Sequence, residues 1–174
     1  MSIFSHLDGE YRRFVDFFGK KGQKGNMDEY DRKLLRLTQE NNRMTYEAMA
    51  EVANLSQSAV RRRMKRFRDE GIIIGDVSLL HNNSLGFLVI CRLHCRELTQ
   101  KAYRSIIEMV DEAPEALQCY NVSGEFDFVI VAQMRDMEHY THWLENQMMA
   151  NQYIVHCETQ FVYRQTKFKT AIPV

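Results

Sequence analysis

The chain has 174 residues, 23 basic and 23 acidic side chains, four cysteines and a hydrophobic content of 45%. This length allows one large domain or two small ones, and four cysteines are too few for a disulfide scaffold, which favours a reducing, cytoplasmic location. No apolar run approaches the roughly 20 residues that a membrane helix needs, and charges interrupt the apolar residues near the N-terminus, so neither a membrane span nor a signal peptide is expected.

The charge is unevenly distributed along the chain. Residues 1–75 carry fifteen basic and eleven acidic side chains, whereas residues 76–174 carry eight basic and twelve acidic ones. A basic front half and an acidic rear half suit a protein that contacts a polyanion such as DNA through its first part only.

Residues 1–26 form a predicted N-terminal extension. Residues 10–18 show helical spacing of aromatic and aliphatic side chains, and residues 19–26 (GKKGQKGN) form a basic, glycine-rich linker. We favour a partly disordered arm; the alternative is an additional dimer or DNA contact.

Three helices are predicted in the next part of the chain. The first covers residues 28–40, and the second follows a Thr45 cap. A tight turn at 53–55 leads to a basic helix that ends before Gly71, where a left-handed cap is expected. This order is typical of a helix-turn-helix, whose last helix enters the major groove of double-stranded DNA. Residues 72–80 are expected to be strand-like and to form a small wing.

The third helix is predicted to be amphipathic. Val60, Met64 and Phe67 form its apolar side. The candidate DNA-binding residues lie at its start or opposite that side: Ser56, Gln57, Ser58, Arg61, Arg62, Lys65 and Arg66. The early arginines and the glutamine can bind guanine and adenine edges.

The position of each cation along and around this helix predicts whether it contacts a base, contacts a phosphate or forms an internal ion pair. Lys65 and Arg66 lie farther along and are expected to contact phosphates, which give affinity without sequence information. Arg63, at the edge of the apolar side, is expected to form an internal ion pair with an acid of the first helix. Most charge runs are only solvated helix faces, but here six cations precede the first acid, Asp69, which favours nucleic acid.

The second half alternates strands and helices. Strands are predicted at residues 85–95, 117–122, 126–134 and 153–163, with helices at 99–112 and after Asp136. The order βαββαβ is that of a ferredoxin-like fold, so the chain is predicted to be α+β. Because two helices cover only one face of such a sheet, the other face is expected to pack against a second copy.

With both halves in place, residues 27–174 resemble the Lrp/AsnC, or feast/famine, family of transcription regulators. The resemblance rests on an ordered set of residues: Met27, Asp28, Asp31, Leu34, Leu35, Arg43, Ala50, Leu55, Ser56, Val60, Arg63, Gly71, Ile72–Ile74, Leu85, Gly86, Pro114, Glu115, Val122–Gly124, Asp127, Phe128, Thr159, Lys167, Thr170 and Pro173. It implies a winged helix-turn-helix over residues 27–80 and a RAM/ACT-like ligand-sensing and oligomerisation domain over residues 85–174. The family usually has glycine where Asn42 and Asn54 stand, and asparagine tolerates the left-handed conformation such turns use.

The segment 121–127 (NVSGEFD) is the candidate ligand loop. Its glycine allows backbone N–H groups to approach a carboxylate, and Asp127 could pair with an ammonium group. From the residues alone the ligand site is the weaker interpretation, because Ser-Gly-Glu is also an ordinary hairpin turn. The resemblance implies that amino-acid effectors bind near this loop at an interface between dimers, which makes Asn121, Ser123, Gly124 and Asp127 candidate ligand-binding residues.

Other chemistry has weaker support in the sequence. Cys91 and Cys95 lie four apart in a predicted strand, roughly 13 Å from one another, which is too far to bind one metal. His139 and His142 without a third ligand make a poor metal site. No cofactor is predicted. The alternatives to a regulator are an enzyme resembling tetrapyrrole decarboxylases on the same two-domain scaffold, and an architectural DNA-binding protein without an effector.

Overall fold

The computed structural model describes residues 27–80 and 85–174. The predicted N-terminal extension lies outside the described residues. The described chain forms two compact units: residues 27–77 together with Lys169–Val174, and the described part of Ser78–Phe168. The last six residues therefore belong to the first unit, although the sequence places them in the second domain.

The first unit is built from three helices: α1 (Glu29–Glu40), α2 (Tyr46–Ala53) and α3 (Gln57–Asp69). Each begins after a polar side chain that accepts a backbone N–H of the first turn. These caps are Asp28, Ser56 and, as predicted, Thr45. The helices enclose a buried core formed by Leu34, Leu35, Met49, Ala50, Ala53, Val60, Met64 and Phe67. This core fixes the side of α3 that faces inward and therefore the side that faces outward.

Two left-handed residues set the ends of the helices. Asn54 has φ 57° and ψ 48° and turns the chain from α2 into α3, so the prediction for this asparagine is confirmed. Asn42 does not adopt positive φ, and the turn before α2 forms without it. Gly71, with φ 69°, ends α3 in a Schellman motif, since its N–H donates to Arg68 and that of Ile72 donates to Phe67.

In the part of the chain that the structure describes, residues 71–80 contain no strand, so the strand-like wing predicted over residues 72–80 is not seen there. A strand needs a second backbone to complete its ladder, and no described segment of this chain provides one. Except for Ile73, which packs against the three-helix core, the apolar side chains of this segment are exposed, and Ile74 is 96% exposed.

The second unit is a four-stranded antiparallel sheet with helices on one face. Its elements are β1 (Phe87–Cys95), α4 (Gln100–Glu112), β2 (Ala116–Asn121), β3 (Phe128–Met134), α5 (Met137–Trp143) and β4 (Ile154–Phe161). The strand order is β2-β3-β1-β4. The predicted βαββαβ order and α+β class are confirmed.

The two faces of this sheet differ in burial. Val89, Cys91 and Leu93 on β1 are fully buried beneath the helices, whereas Leu88 and Ile90 on the opposite face are only partly buried. The helix α5 continues into a π-helical turn at Leu144–Met149. In the part of the chain that the structure describes, no helix is long and apolar enough to span a bilayer.

Candidate nucleic-acid interface and ligand loop

The helix α3 presents its polar side outward because its apolar side is locked into the core. Val60 and Phe67 are fully buried and Met64 is 1% exposed. Ser56 caps the helix by accepting the N–H of Ala59 at 3.2 Å, and its Oγ lies 3.1 Å from that of Ser58. The hydroxyl of Ser56 is therefore used mainly to start the helix.

Five of the predicted DNA-binding residues line one open groove of about 460 Å³ along α3: Gln57, Ser58, Arg61, Arg62 and Lys65. We call this surface the basic groove. It contains three cations and no acidic side chain. Lys65 also forms an exposed ion pair with Asp69, 2.6 Å away, which is a weak interaction in water and leaves the ammonium accessible.

The predicted internal ion pair of Arg63 is confirmed. Its Nη1 lies 2.7 Å from Oδ2 of Asp28 and 2.5 Å from Oδ1 of Asp31. Asp31 is 1% exposed, so its charge is removed from water and depends on these partners. The pair ties the start of α1 to the middle of α3.

Arg66 is also engaged by the buried carboxylate. Its Nη2 lies 2.7 Å from Oδ2 of Asp31, while its side chain remains 42% exposed. Arg66 does not line the basic groove, so it stands apart from the other predicted DNA-binding residues. The sequence contained a signal for this position, since Arg66 follows Arg63 by three residues and therefore lies on the same edge of the helix.

Hydrogen bonding shifts two ionisation equilibria at this junction. The N–H of Asp31, which donates to Asp28 at 2.7 Å, lowers the pKa of Asp28 below its ordinary value of 3.8, and Arg63 lowers it further. In return, hydrogen bonds to the carboxylates of Asp31 and Asp28 raise the pKa of Arg63 above its ordinary value. Both groups are consequently charged throughout the neutral range.

The loop 121–127 joins β2 to β3 and is closed by backbone hydrogen bonds. The N–H of Val122 donates to the carbonyl of Asp127 at 3.1 Å, and the N–H of Asp127 donates to Leu93 at 2.8 Å. Gly124 has φ +123°, which side chains rarely adopt, so the loop needs glycine there. Ser123 and Gly124 are exposed at the tip.

Asp127 and Asn121 occupy the base of this loop. Oδ2 of Asp127 accepts the N–H of Cys95 at 2.7 Å and lies 3.5 Å from Nδ1 of His94. This oxygen already anchors the end of β1, where the pairing with β4 shifts register. The Nδ2 of Asn121 is buried without a hydrogen-bond partner, which leaves a donor at the loop for another molecule.

The structure separates the other candidate residues. His139 Nε2 lies 2.8 Å from Glu115 Oε1, and His142 contacts Asn146 instead, so the two histidines do not face a common ligand. The four cysteines are free thiols. Across residues 27–80 and 85–174, no group of three His, Cys, Asp or Glu side chains could hold a metal ion.

Two family models match the chain, one on each side of residue 80. The winged helix-turn-helix DNA-binding model matches residues 27–74, and the Lrp/AsnC ligand binding domain matches residues 88–172. The first match covers the three helices, and the second covers the four-stranded sheet with its helices.

The matches to individual relatives cover most of this chain and nearly the whole length of each relative. The uncharacterized HTH-type transcriptional regulator y4tD of Sinorhizobium fredii is 31% identical over 152 residues, covering 85% of this chain and 89% of the relative. The DNA-binding transcriptional activator DecR of Escherichia coli is 29% identical over 150 residues, covering 85% and 99%. The solved L-Met complex of the transcriptional regulator NMB0573 from Neisseria meningitidis is 30% identical, with a TM-score of 0.78 and coverages of 84% and 96%.

Proposed function

The chain belongs to the Lrp/AsnC family of DNA-binding transcriptional regulators, and we propose that it reads its DNA through the basic groove and responds to an amino acid at loop 121–127. The observation that carries the proposal is the grouping of Gln57, Ser58, Arg61, Arg62 and Lys65 along one open groove without an acidic side chain. The proposal gives the chain no catalytic role and places it in the cytoplasm with its DNA.

The residues of the groove divide by the part of DNA that they reach. Arg61 and Arg62 lie on the exposed side of the first half of α3, where recognition helices meet base edges. A bidentate arginine on guanine discriminates by about 1–3 kcal/mol. Lys65 lies one turn farther along and binds a phosphate. Arg66 reaches a phosphate only by leaving Asp31 or by sharing it, because its guanidinium is already paired.

A homodimer, or a larger homo-oligomer, accounts for the open face of the sheet. Both amide atoms of Gln133 on this face are buried without a hydrogen-bond partner, and buried amides are normally paired. A second copy packed on the face supplies apolar cover and polar partners together. Such a dimer has two copies of α3, whose half-sites lie about one DNA turn or a multiple of it apart.

An amino-acid effector is proposed because of the loop and the similar proteins. The regulator from Neisseria meningitidis was solved as a complex with L-Met. In this chain the unpaired Nδ2 of Asn121 and the backbone N–H groups of the exposed residues Ser123 and Gly124 suit a carboxylate. Because Oδ2 of Asp127 already accepts the N–H of Cys95, the ammonium group of the effector would bind Oδ1, the other carboxylate oxygen. The effector changes DNA binding only through its unequal affinity for two assembly states.

The test is binding of the purified protein to its own upstream DNA over a salt series, with and without the twenty amino acids. We expect affinity to fall steeply with salt, since phosphate contacts release counterions. Arg62→Ala is expected to lose specific binding. Absence of binding at low salt would refute the DNA-binding surface, whereas unchanged binding in every amino acid would refute only the effector.

A further inference from the structure

The segment Lys169–Val174 packs with the first unit, which we call the DNA-binding unit. It does so although it follows the whole second unit, which we call the ligand-binding unit, in the chain. Val174 is partly buried and packs against the core of the three helices. The chain therefore connects the two units twice, once after Val77 and once before Lys169. The contact of residues 169–174 with the three helices thus closes residues 78–168 into a loop.

The contact is specific at the level of individual atoms. Gln39, near the end of α1, uses both ends of its side-chain amide on one residue: Nε2 donates to the carbonyl of Ile172 at 3.1 Å, and Oε1 accepts its N–H at 2.7 Å. Nη1 of Arg36 lies 3.5 Å from the carbonyl oxygen of Val174. A side-chain amide paired this way recognises an extended backbone much as a neighbouring strand does.

The sequence of this segment favours the extended backbone that the contact with Gln39 uses. Pro173 disfavours a helical conformation at Ile172 and biases it to extended backbone. The side chain of Ile172 stays 68% exposed, so its backbone rather than its side chain provides the recognition. The apolar anchor is Val174, two residues farther on.

The helix α1 links this contact to the DNA-binding helix. Gln39 lies near its C-terminal end, while Asp31 lies in its first turn and holds Arg63 and Arg66 of α3. The two ends belong to one rigid helix of 12 residues, about 18 Å long at 1.5 Å per residue. Restraint applied to one end of α1 is thus transmitted to the orientation of α3.

We propose that residues 169–174 form a clasp on α1 that strengthens the binding of a dimer to two half-sites. The proposal rests on the proposed function, because it requires a dimer that binds DNA. Once one DNA-binding unit of a dimer has bound, a freely moving DNA-binding unit of the partner has a lower effective concentration at the other half-site. Releasing the clasp therefore weakens two-site binding and leaves one-site binding unchanged.

The experiment compares the full-length wild type with Gln39→Ala, and uses Gln152→Ala as a matched control because Gln152 is an exposed glutamine of the other unit. Hydrogen–deuterium exchange reports the N–H of Ile172. We expect Gln39→Ala alone to accelerate it. DNA binding is measured on duplexes of about 12 bp, which admit one unit, and about 40 bp, which admit two, given the half-site spacing of roughly 10 bp.

The expected result is a loss of about tenfold in affinity for the long duplex with Gln39→Ala, within the range by which linker geometry changes avidity. Affinity for the short duplex is expected to match that of the wild type. Equal exchange at Ile172 in wild type and Gln39→Ala would refute the clasp, and unchanged affinity for the long duplex would refute its coupling to DNA. If the wild type bound neither duplex, the proposed function would fail, while exchange would still decide whether the clasp exists.

Discussion

Asp31 and Arg66 form an ion pair across the DNA-binding unit in which the acid is buried and the base is half exposed. Their Oδ2 and Nη2 atoms lie 2.7 Å apart, with side-chain exposures of 1% and 42%. The buried member also binds Arg63. One carboxylate therefore holds both a structural arginine and a predicted DNA-binding arginine, so stability and DNA affinity are linked at Asp31.

Replacing Asp31 is expected to separate these two properties. Asp31→Asn removes the buried charge that neutralises two arginines, and we expect the free energy of unfolding to fall by about 3 kcal/mol, near the low end for breaking a buried pair. Released Arg66 becomes available to a phosphate, so the salt dependence of DNA binding is expected to steepen by about one ion. Urea unfolding followed by helical circular dichroism and a salt series measure the two effects. Asp69→Asn, which breaks only the exposed pair with Lys65, is the control and should cost less than about 0.5 kcal/mol.

Replacing either of two neighbouring arginines of α3 is expected to affect a different property: DNA affinity in one case and stability in the other. Arg62→Ala removes a side chain of the basic groove, so we expect specific affinity to fall by about 1–3 kcal/mol with an unchanged melting temperature. Arg63→Ala leaves Asp31 with only Arg66, and we expect melting to occur earlier by about 4–8 °C for each kcal/mol lost. Thermal melts and DNA titrations distinguish the variants. An unchanged melting temperature for Arg63→Ala, together with lost binding, would move Arg63 into the DNA interface.

The lowered pKa of Asp28 predicts a stability loss at acid pH. A carboxyl group that is more acidic in the folded state stabilises that state above its unfolded pKa and stops doing so as pH falls through the folded value. We therefore expect Asp28 to contribute fully above about pH 5 and progressively less below its ordinary value of 3.8. Asp28→Asn should flatten the decline in unfolding free energy between about pH 5 and pH 2. If the variant declined as steeply as the wild type, other carboxyl groups would account for the acid sensitivity.

Two glycines are expected to tolerate alanine very differently. Gly86 has φ +121°, and a Cβ built there would overlap the carbonyl oxygen of Met134. Gly86→Ala therefore displaces the start of β1 from β3 or strains it, and we expect a cost of at least about 2 kcal/mol. Gly75 has open space around it, so Gly75→Ala should change stability by less than about 0.5 kcal/mol. Parallel urea titrations measure the difference, and equal costs would contradict the overlap.

The local features of the fold could be predicted from sequence because they depend on near neighbours. Thr45 and Asp136 precede predicted helices and each accepts an N–H of the first helical turn, as Ser56 does, and the angle of Arg63 on the helix predicts its internal ion pair. These inferences need only the helical period and the chemistry of capping.

The features that escaped prediction depend on distant or absent partners. Gln39 and Ile172 are 133 residues apart in the chain, and no local period connects them. The strand expected in residues 72–80 is not seen among the described residues for a related reason, since the β propensity of residues 72–74 cannot supply the second backbone that a ladder requires. The ion pair of Arg66 with Asp31 has a local signal in the three-residue spacing from Arg63, but the helical period also places Arg66 on the basic side of α3, which alone predicts a DNA contact.

The packing of Val174 against the core of the three helices has a consequence for synthesis. The ribosome completes the whole of Ser78–Phe168 between the last helix of the DNA-binding unit and the segment that packs against its core. At 5–20 residues per second this interval lasts roughly 5–20 s. During that time the nascent helices lack the contact with Val174, so the three-helix unit of the partly translated chain exposes apolar surface that residues 169–174 later cover.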